Sequence, residues 1–597
     1  MNHETSRKKG FSRGQILVAA LFVVLVIFLL RLAQIQILQG GYYAKQAENM
    51  QMNKETINAK RGEIFVRDAD GNLAPLVLNQ TVYTLFADPT QIKDVEKIKD
   101  LVNSAIGENA IKENFAKLSD KKTQYVVLAR NVAYDSAQKI QKADLAGLGL
   151  QVGSRRVYPE GSLAAQVLGY VNNNGNGQYG VEQSLDKKLA GIPGQLNTVT
   201  DVRRIPLTIG THDASVPAKD GENLVLSLDR NIQLQAEQGL AAGLANAKAT
   251  SGSIIVMDPE TGRILGMASN PSYDPSNLNS IVINKNQDVS TASALPVTNA
   301  YEPGSIMKFF TIAAAINGGF ISPNSTFVNT DCIGVLDAKI CNVDKGLNGL
   351  RTPMQILEFS LNTGATWALE SMGGGGSPPS MAAQNYYYNF LNNNYRFSAP
   401  TGVEVAGEAD SVIYSPKSLA DKGGALTYAN MSFGQGMQLT MTQVISAFSA
   451  VINGGNYYQP TVILGSTNSA GETLNEQKPK ITLQNAVSAQ DSRDMVEMLQ
   501  QARYLGAPGA KTTDNGFFCG GKSGTAQKVD PETGKYSDTL TTGSYIGFCA
   551  GADHKPKYAI LVRVDDAHNG GYSGSAAAQP IFDKMSQFMN TYEGLSK

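Results

Sequence analysis

Fifteen consecutive apolar residues, Ile16 to Leu30, decide where the rest of this chain can fold. Gly14 and Gln15 precede the run and Arg31 follows it. A helix that crosses a bilayer needs about 17–25 residues. Leu32 and Ala33 lengthen the stretch past Arg31, whose stem can lie in the apolar layer while its charge reaches the headgroups. A secretory signal has an apolar run of similar length, but it ends in small residues at a cleavage site. Here the run continues as RLAQIQILQG, bulky and helix-forming, which favours an uncleaved anchor over a cleaved signal. Arg7, Lys8, Lys9 and Arg13 flank the run on its N-terminal side, opposed only by Glu4. Positive charge stays in the cytoplasm. The expected layout is a cytoplasmic tail over 1–13, a transmembrane anchor over 14–33, and an external remainder, a single-pass type II topology.

The chain has 597 residues, and single cores stop growing at roughly 250–300. Two or three domains are expected. Hydrophobic residues at 42% and charged residues at 17% describe a globular chain rather than a disordered one. Fifty-one Lys and Arg against fifty-two Asp and Glu leave a net charge of −1, so no basic field is available for nucleic acid. Neither CxxC nor HExxH occurs, which argues against a dedicated zinc site.

After the anchor, Gln34 to Met50 reads as a helical stalk. Mixed strand and helix patterns follow to about Gly210, including Arg61 to Leu73, where an alternating strand meets an Asp-Gly turn. The polar segment Gly210 to Glu222 is the expected boundary. Beyond it, Leu224–Asp229, Ser253–Asp258, Arg263–Ser269, Ser544–Cys549 and Tyr558–Val564 read as strands, with helices over Ile232–Lys248 and Ile581–Met589. Strands at both ends of a helical middle predict an α+β fold whose sheet joins early and late segments. Gly373 to Ser380 reads as a loop, not a linker.

Pro303-Gly304-Ser305-Ile306-Met307-Lys308 opens an apolar helix ending near Asn317-Gly318-Gly319. Positions i and i+3 share a helix face, so Ser305 and Lys308 should meet, with the serine on the first turn. A serine hydroxyl becomes a nucleophile when an adjacent base takes its proton. Lysine can be that base when desolvation and a second cation lower its pKa. Backbone N–H groups at the helix start suit a developing oxyanion. One Ser-x-x-Lys is weak, because a helix start with a solvated lysine gives the same pattern. Ser360-Leu361-Asn362 after an amphipathic helix, and Lys522-Ser523-Gly524-Thr525 after an apolar strand, make an ordered trio that is much stronger.

With these motifs the chain resembles the serine penicillin-recognising enzymes, and within them the monofunctional class B penicillin-binding proteins. The resemblance also rests on the short basic tail and anchor, Arg61-Gly62-Glu63-Ile64, Tyr158-Pro159-Glu160-Gly161, Gly180-Val181-Glu182, Tyr301-Glu302-Pro303-Gly304-Ser305 and Ser432-Phe433-Gly434-Gln435-Gly436. It implies a transpeptidase domain over 220–597, an antiparallel sheet flanked by helices plus an all-helical subdomain. Beneath it the resemblance implies an elongated mixed α/β pedestal of the dimerisation type over 34–215. Carried over by position, Ser305 is the acylated nucleophile, Lys308 its base and Ser360 the proton shuttle to the leaving amine. Asn362 holds the substrate amide. Lys522 lowers the pKa of Lys308 and attracts the substrate carboxylate, which Ser523 and Thr525 bond, with Gly524 between them. The backbone N–H groups of Ser305 and Thr525 form the oxyanion hole. Ile306 and Met307 stand where many relatives carry Thr and Phe, a change expected to concern packing alone.

Gly516 to Ser523 formally matches the phosphate-binding GxxxxGK[ST]. That motif needs a loop leading directly into a helix, whereas its inner residues here are apolar and strand-like, with Pro531 and Gly534 soon after. Cys332 and Cys341 enclose a short loop and make one expected bridge. Cys519 and Cys549 are centred on Gly534, so a hairpin turning there would bring them face to face as a second. Four buried thiols are the alternative. His212, His554 and His568 have no motif around them and are expected in surface or loop roles.

The resemblance implies a peptidoglycan D,D-transpeptidase, with no metal or organic cofactor. Its partners would be stem peptides ending in D-Ala-D-Ala, β-lactams as covalent inhibitors, the membrane, a polytopic membrane glycosyltransferase and other divisome proteins, and no nucleic acid. A β-lactamase or D,D-carboxypeptidase shares the three motifs, but a lactamase usually lacks an anchor and a non-catalytic domain. An inactive scaffold would have lost a motif side chain, and all are present. The Tyr-Glu-Pro-Gly-Ser and Tyr-Pro-Glu-Gly segments favour the septal branch over the elongation branch. The terminal helix is expected to close the catalytic domain.

Overall fold

The computed structural model describes residues 12–68, 70–107, 112–199, 215–284, 289–419, 423–468, 474–506, 517–529, 536–569 and 574–592. Arg7, Lys8, Lys9, His212, Gly516, Pro531, Gly534 and the start of the Gly210–Glu222 boundary lie outside the described residues.

Two compact units make up the chain. The first holds Met1–Lys60 and Gly191–Asp220. Its Arg13–Ala33 helix opens on Ser12, which closes a capping box with Gln15. With the π-helical turn Gln34–Leu38 it forms one helical stretch of 26 residues. Among the described residues this is the one helix long and apolar enough to cross a membrane. The helix Gly40–Gln51 continues the expected stalk, and Met52–Ile57 then pairs with Gly194–Val199, which pairs with Ser215–Val216.

The second unit holds Arg61–Ala190 and Gly221–Lys597. The region expected as a pedestal is divided between the two units. The cause is strand pairing: Asn223–Asp229 runs parallel to Ile64–Arg67 and antiparallel to Ile463–Thr467 in one sheet. Leu73–Ala87 extends that sheet and pairs with both Val126–Val132 and Leu148–Val157. The Asp-Gly turn is present, with Gly71 in the left-handed region at φ +80°. Nearby, Glu182 is fully buried between Arg61 and Arg156, at 2.5 and 2.9 Å.

The later part of the second unit is built on a five-stranded antiparallel sheet in the order Ile264–Asn270, Ser251–Met257, Pro556–Asp565, Tyr536–Ala550, Phe518–Val529. Early and late chain segments share this sheet, as expected. On one face Ile254, Val256, Val562 and Val564 pack against Ile232, Ala236 and Leu240 of the Arg230–Ala247 helix and Ile581, Phe582 and Met585 of the Gln579–Tyr592 helix. The other face meets a larger core with Phe309, Phe310, Phe448 and Leu499. The Met307–Asn317 helix (MKFFTIAAAIN) is apolar almost all round, and such a helix belongs in an interior. Phe518–Val529 lies at the edge of the sheet, leaving one side of its backbone free of strand partners. Gly374, Gly375 and Gly376 all take positive φ in the loop before the Met381–Asn393 helix.

Candidate active site

The turn that carries Ser305 differs in one respect from expectation. Gly304–Ile306 is a 3-10 turn, and the α-helix starts only at Met307. Gly304 takes φ +61°, which only glycine adopts without strain. Its amide donates to the Gly434 carbonyl at 3.1 Å. A Cβ on Gly304 would sit 2.6 Å from the Thr525 carbonyl, and one on Gly434 would sit 2.1 Å from the Gly304 carbonyl. Three backbones thus meet at the serine, closer than any side chain permits.

Ser305 is partly exposed while Lys308 is 1% exposed. The Nζ of Lys308 lies 2.8 Å from Ser305 Oγ, 3.0 Å from Ser360 Oγ and 2.6 Å from the Ser360 carbonyl. Burial, and then the charge of Lys522, push the Lys308 amine well below the ordinary lysine range. Ser360 reaches it because residue 360 takes φ +52° between the Pro353–Glu358 and Asn362–Ser371 helices. That is an uncommon conformation for a residue with a Cβ, and it clusters at functional sites.

Lys522 is 4% exposed on the edge strand, and burial lowers its amine to about 8. Its Nζ donates to the Ser523 carbonyl at 3.0 Å and lies 3.5 Å from Ser523 Oγ. Ser523 and Thr525 are partly exposed, and Gly574 N donates to Thr525 Oγ1 at 2.9 Å. Gly524 leaves no room for a side chain: a Cβ there would lie 2.5 Å from Ser544 Oγ and 2.6 Å from the Pro303 carbonyl. Asn362 donates from Nδ2 to the Cys341 carbonyl at 2.8 Å. The two amines are withdrawn and the hydroxyls presented, an arrangement that suits proton transfer from a serine to a neutral amine.

Both expected disulfides are formed, Cys332–Cys341 and Cys519–Cys549. Each pair stands directly opposite in its antiparallel ladder. The Lys522-Ser523 segment lies in a strand, not in a loop before a helix, so the phosphate-loop match has no structural counterpart. His554 stacks on Phe518, and His568 donates its amide to the Ala247 carbonyl. Glu302 and Gly434 stand in the sequence motifs with no role of their own assigned. Glu302 accepts from Gly436 N and Tyr536 Oη, both at 2.9 Å, and fastens the turn from below. Asn342 had no signal of its own.

A penicillin binding protein transpeptidase domain matches residues 252–587, and a penicillin-binding protein dimerisation domain matches residues 56–226. The chain belongs to the penicillin-binding protein transpeptidase family. With its dimerisation domain it is a class B penicillin-binding protein of α+β fold, and its single N-terminal apolar helix fits a single-pass membrane protein. Stage V sporulation protein D of Bacillus subtilis is 27% identical over 578 residues, 95% of this chain and 84% of that one. Peptidoglycan D,D-transpeptidase FtsI of Escherichia coli is 27% identical over 580 residues, 96% and 90% respectively. Penicillin Binding Protein 2X from Streptococcus thermophilus shares the fold at a TM-score of 0.69 and 23% identity, over 91% of this chain and 81% of that one.

Proposed function

We propose that this class B penicillin-binding protein is a peptidoglycan D,D-transpeptidase of septal wall synthesis, with its catalytic part outside the cytoplasmic membrane. Lys308, whose amine burial holds well below the ordinary lysine range, takes the proton of Ser305 Oγ as that oxygen attacks the penultimate D-Ala carbonyl. Backbone N–H groups of Ser305 and Thr525 hold the resulting oxyanion. The proton passes from Lys308 through Ser360 Oγ to the terminal D-Ala nitrogen, the C–N bond breaks, and D-Ala leaves. An amine of a neighbouring stem then attacks the acyl-enzyme and gives up its proton along the same path. A new amide forms and Ser305 regains its hydrogen. Asn362 orients the substrate amide, and Lys522, Ser523 and Thr525 receive the terminal carboxylate. A β-lactam follows the first half of this path and stays on Ser305.

The observation that carries this reading is Lys308 Nζ within 3.0 Å of two serine hydroxyls while almost fully buried. Full-length protein in detergent should release D-Ala from a synthetic D-Ala-D-Ala pentapeptide and join it to an added amine. Release without any amine-linked product contradicts transfer. The septal assignment rests on the Tyr301–Ser305 and Tyr158–Gly161 segments, and the residues after the anchor are the proposed docking region for a polytopic glycosyltransferase. Depletion should give filaments, whereas rounded cells contradict the septal assignment.

A further inference from the structure

The helix that begins at Asn362 lacks the residue type that normally caps a helix. Leu361 occupies the N-cap position and makes no side-chain cap bond. The first N–H groups of a helix have no intrahelical acceptor, and Ser, Thr, Asn or Asp at the N-cap usually supplies one. Here the acceptor comes from 21 residues upstream: Asn342 Oδ1 receives Thr363 N at 3.1 Å. Asn342 is 3% exposed, and every polar atom of its side chain is used. Its Nδ2 donates to Asn329 Oδ1 and the Thr330 carbonyl, both at 3.1 Å. Thr363 Oγ1 donates to Asn329 Oδ1 at 2.7 Å. This network fixes which way the Asn342 amide faces, because the reverse orientation would set donor against donor at Thr363.

The preceding residue, Cys341, offers the carbonyl that takes Asn362 Nδ2. Two adjacent residues therefore grip the start of one helix, one by its backbone N–H and the other by the side chain of Asn362. With one Nδ2 hydrogen held by Cys341, Asn362 keeps its second Nδ2 hydrogen and its Oδ1 for a substrate amide. We propose that Asn342 is a positioning residue for the Ser360–Asn362 segment, fixing the Asn362 carboxamide in the orientation that meets the substrate amide. The inference rests on the transpeptidase reading and adds to it a residue remote in sequence that sets amide recognition.

The test measures acylation of full-length protein in detergent by two probes. Benzylpenicillin carries an acylamino group, with an N–H and a carbonyl, and penicillanic acid, the same ring system without that side chain, does not. Asn342→Ala should slow benzylpenicillin about tenfold relative to penicillanic acid, the effect of one misdirected hydrogen bond. Asn342→Asp should act in the same direction, because it still accepts from Thr363 but opposes oxygen to Asn329 and Thr330. In an Asn362→Ala background, Asn342→Ala should change the ratio no further, since the two act on one contact. A general loss of folding slows both probes together. Equal slowing of both probes, an unchanged ratio, or an undiminished effect in the Asn362→Ala background overturns the proposal. A wild type acylated by neither probe sinks the transpeptidase reading itself.

Discussion

The Nζ of Lys308 lies 2.8 Å from the Oγ of Ser305, and burial together with the Lys522 charge keeps that amine well below the ordinary lysine range. Removing the base should cost about 10²–10⁴-fold in acylation, the usual contribution of a positioned acid–base group. Lys308→Ala should show this loss in stopped-flow acylation by a fluorescent penicillin. Acylation within tenfold of wild type contradicts the role.

The two lysines give opposite limbs to the pH profile. In the proposed mechanism Lys308 acts only when neutral, so the second-order acylation constant should rise with pH through its lowered value. In the same mechanism Lys522 attracts the carboxylate only when charged, and burial lowers its amine to about 8, so the constant should fall above that pH. Lys522→Ala removes the cation that disfavours a protonated Lys308, and the rising limb should then move to higher pH. A rising limb that stays in place would show that the two lysines are not coupled.

Gly304 and Gly434 hold the serine turn against the edge strand. Gly304→Ala introduces a Cβ 2.6 Å from the Thr525 carbonyl at φ +61°. A displacement on the order of 1 Å at a reacting group costs about 10²-fold. Acylation by the fluorescent penicillin should fall by about that factor, and wild-type rates in Gly304→Ala contradict the close approach.

Glu182 bridges two buried guanidinium groups, those of Arg61 and Arg156, and Arg61 also reaches Asp186 at 2.7 Å, so removing Glu182 strands chiefly Arg156. Breaking a buried ion pair from one side costs about 3–5 kcal/mol, because the remaining charge is stranded. Urea unfolding of Glu182→Ala should show a loss of about that size, and a change below about 1 kcal/mol would mean that water reaches the arginines.

The Cys519–Cys549 bridge closes a loop with a sequence separation of 30. In the chain-entropy account this constrains the unfolded state by roughly 3–4 kcal/mol. Replacing both cysteines by alanine should lower the unfolding midpoint accordingly, and an unchanged midpoint would count against the bridge as a stabilising link.

What could be read from the sequence was whatever local spacing controls. An i, i+3 relation brings Ser305 to Lys308, and the antiparallel pairing of Phe518–Val529 with Tyr536–Ala550 brings Cys519 to Cys549. The strands at both ends of the catalytic part were legible from their alternation and apolar runs. Long-range pairing was not: nothing local in Asn223–Asp229 says that it joins Ile64–Arg67. The left-handed Ser360 and the remote cap at Asn342 were likewise hidden, since each depends on what the fold brings alongside. Leu361 at a helix start was the one available hint, a missing cap that something distant had to replace.

The central claim is that Ser305 is the nucleophile activated by Lys308. Intact-mass analysis of the full-length protein after penicillin treatment, followed by peptide mapping, tests it most directly. One penicilloyl adduct on the peptide containing Ser305, absent from Ser305→Ala, is the predicted result. No adduct on wild type, or the same adduct on Ser305→Ala, would contradict the account.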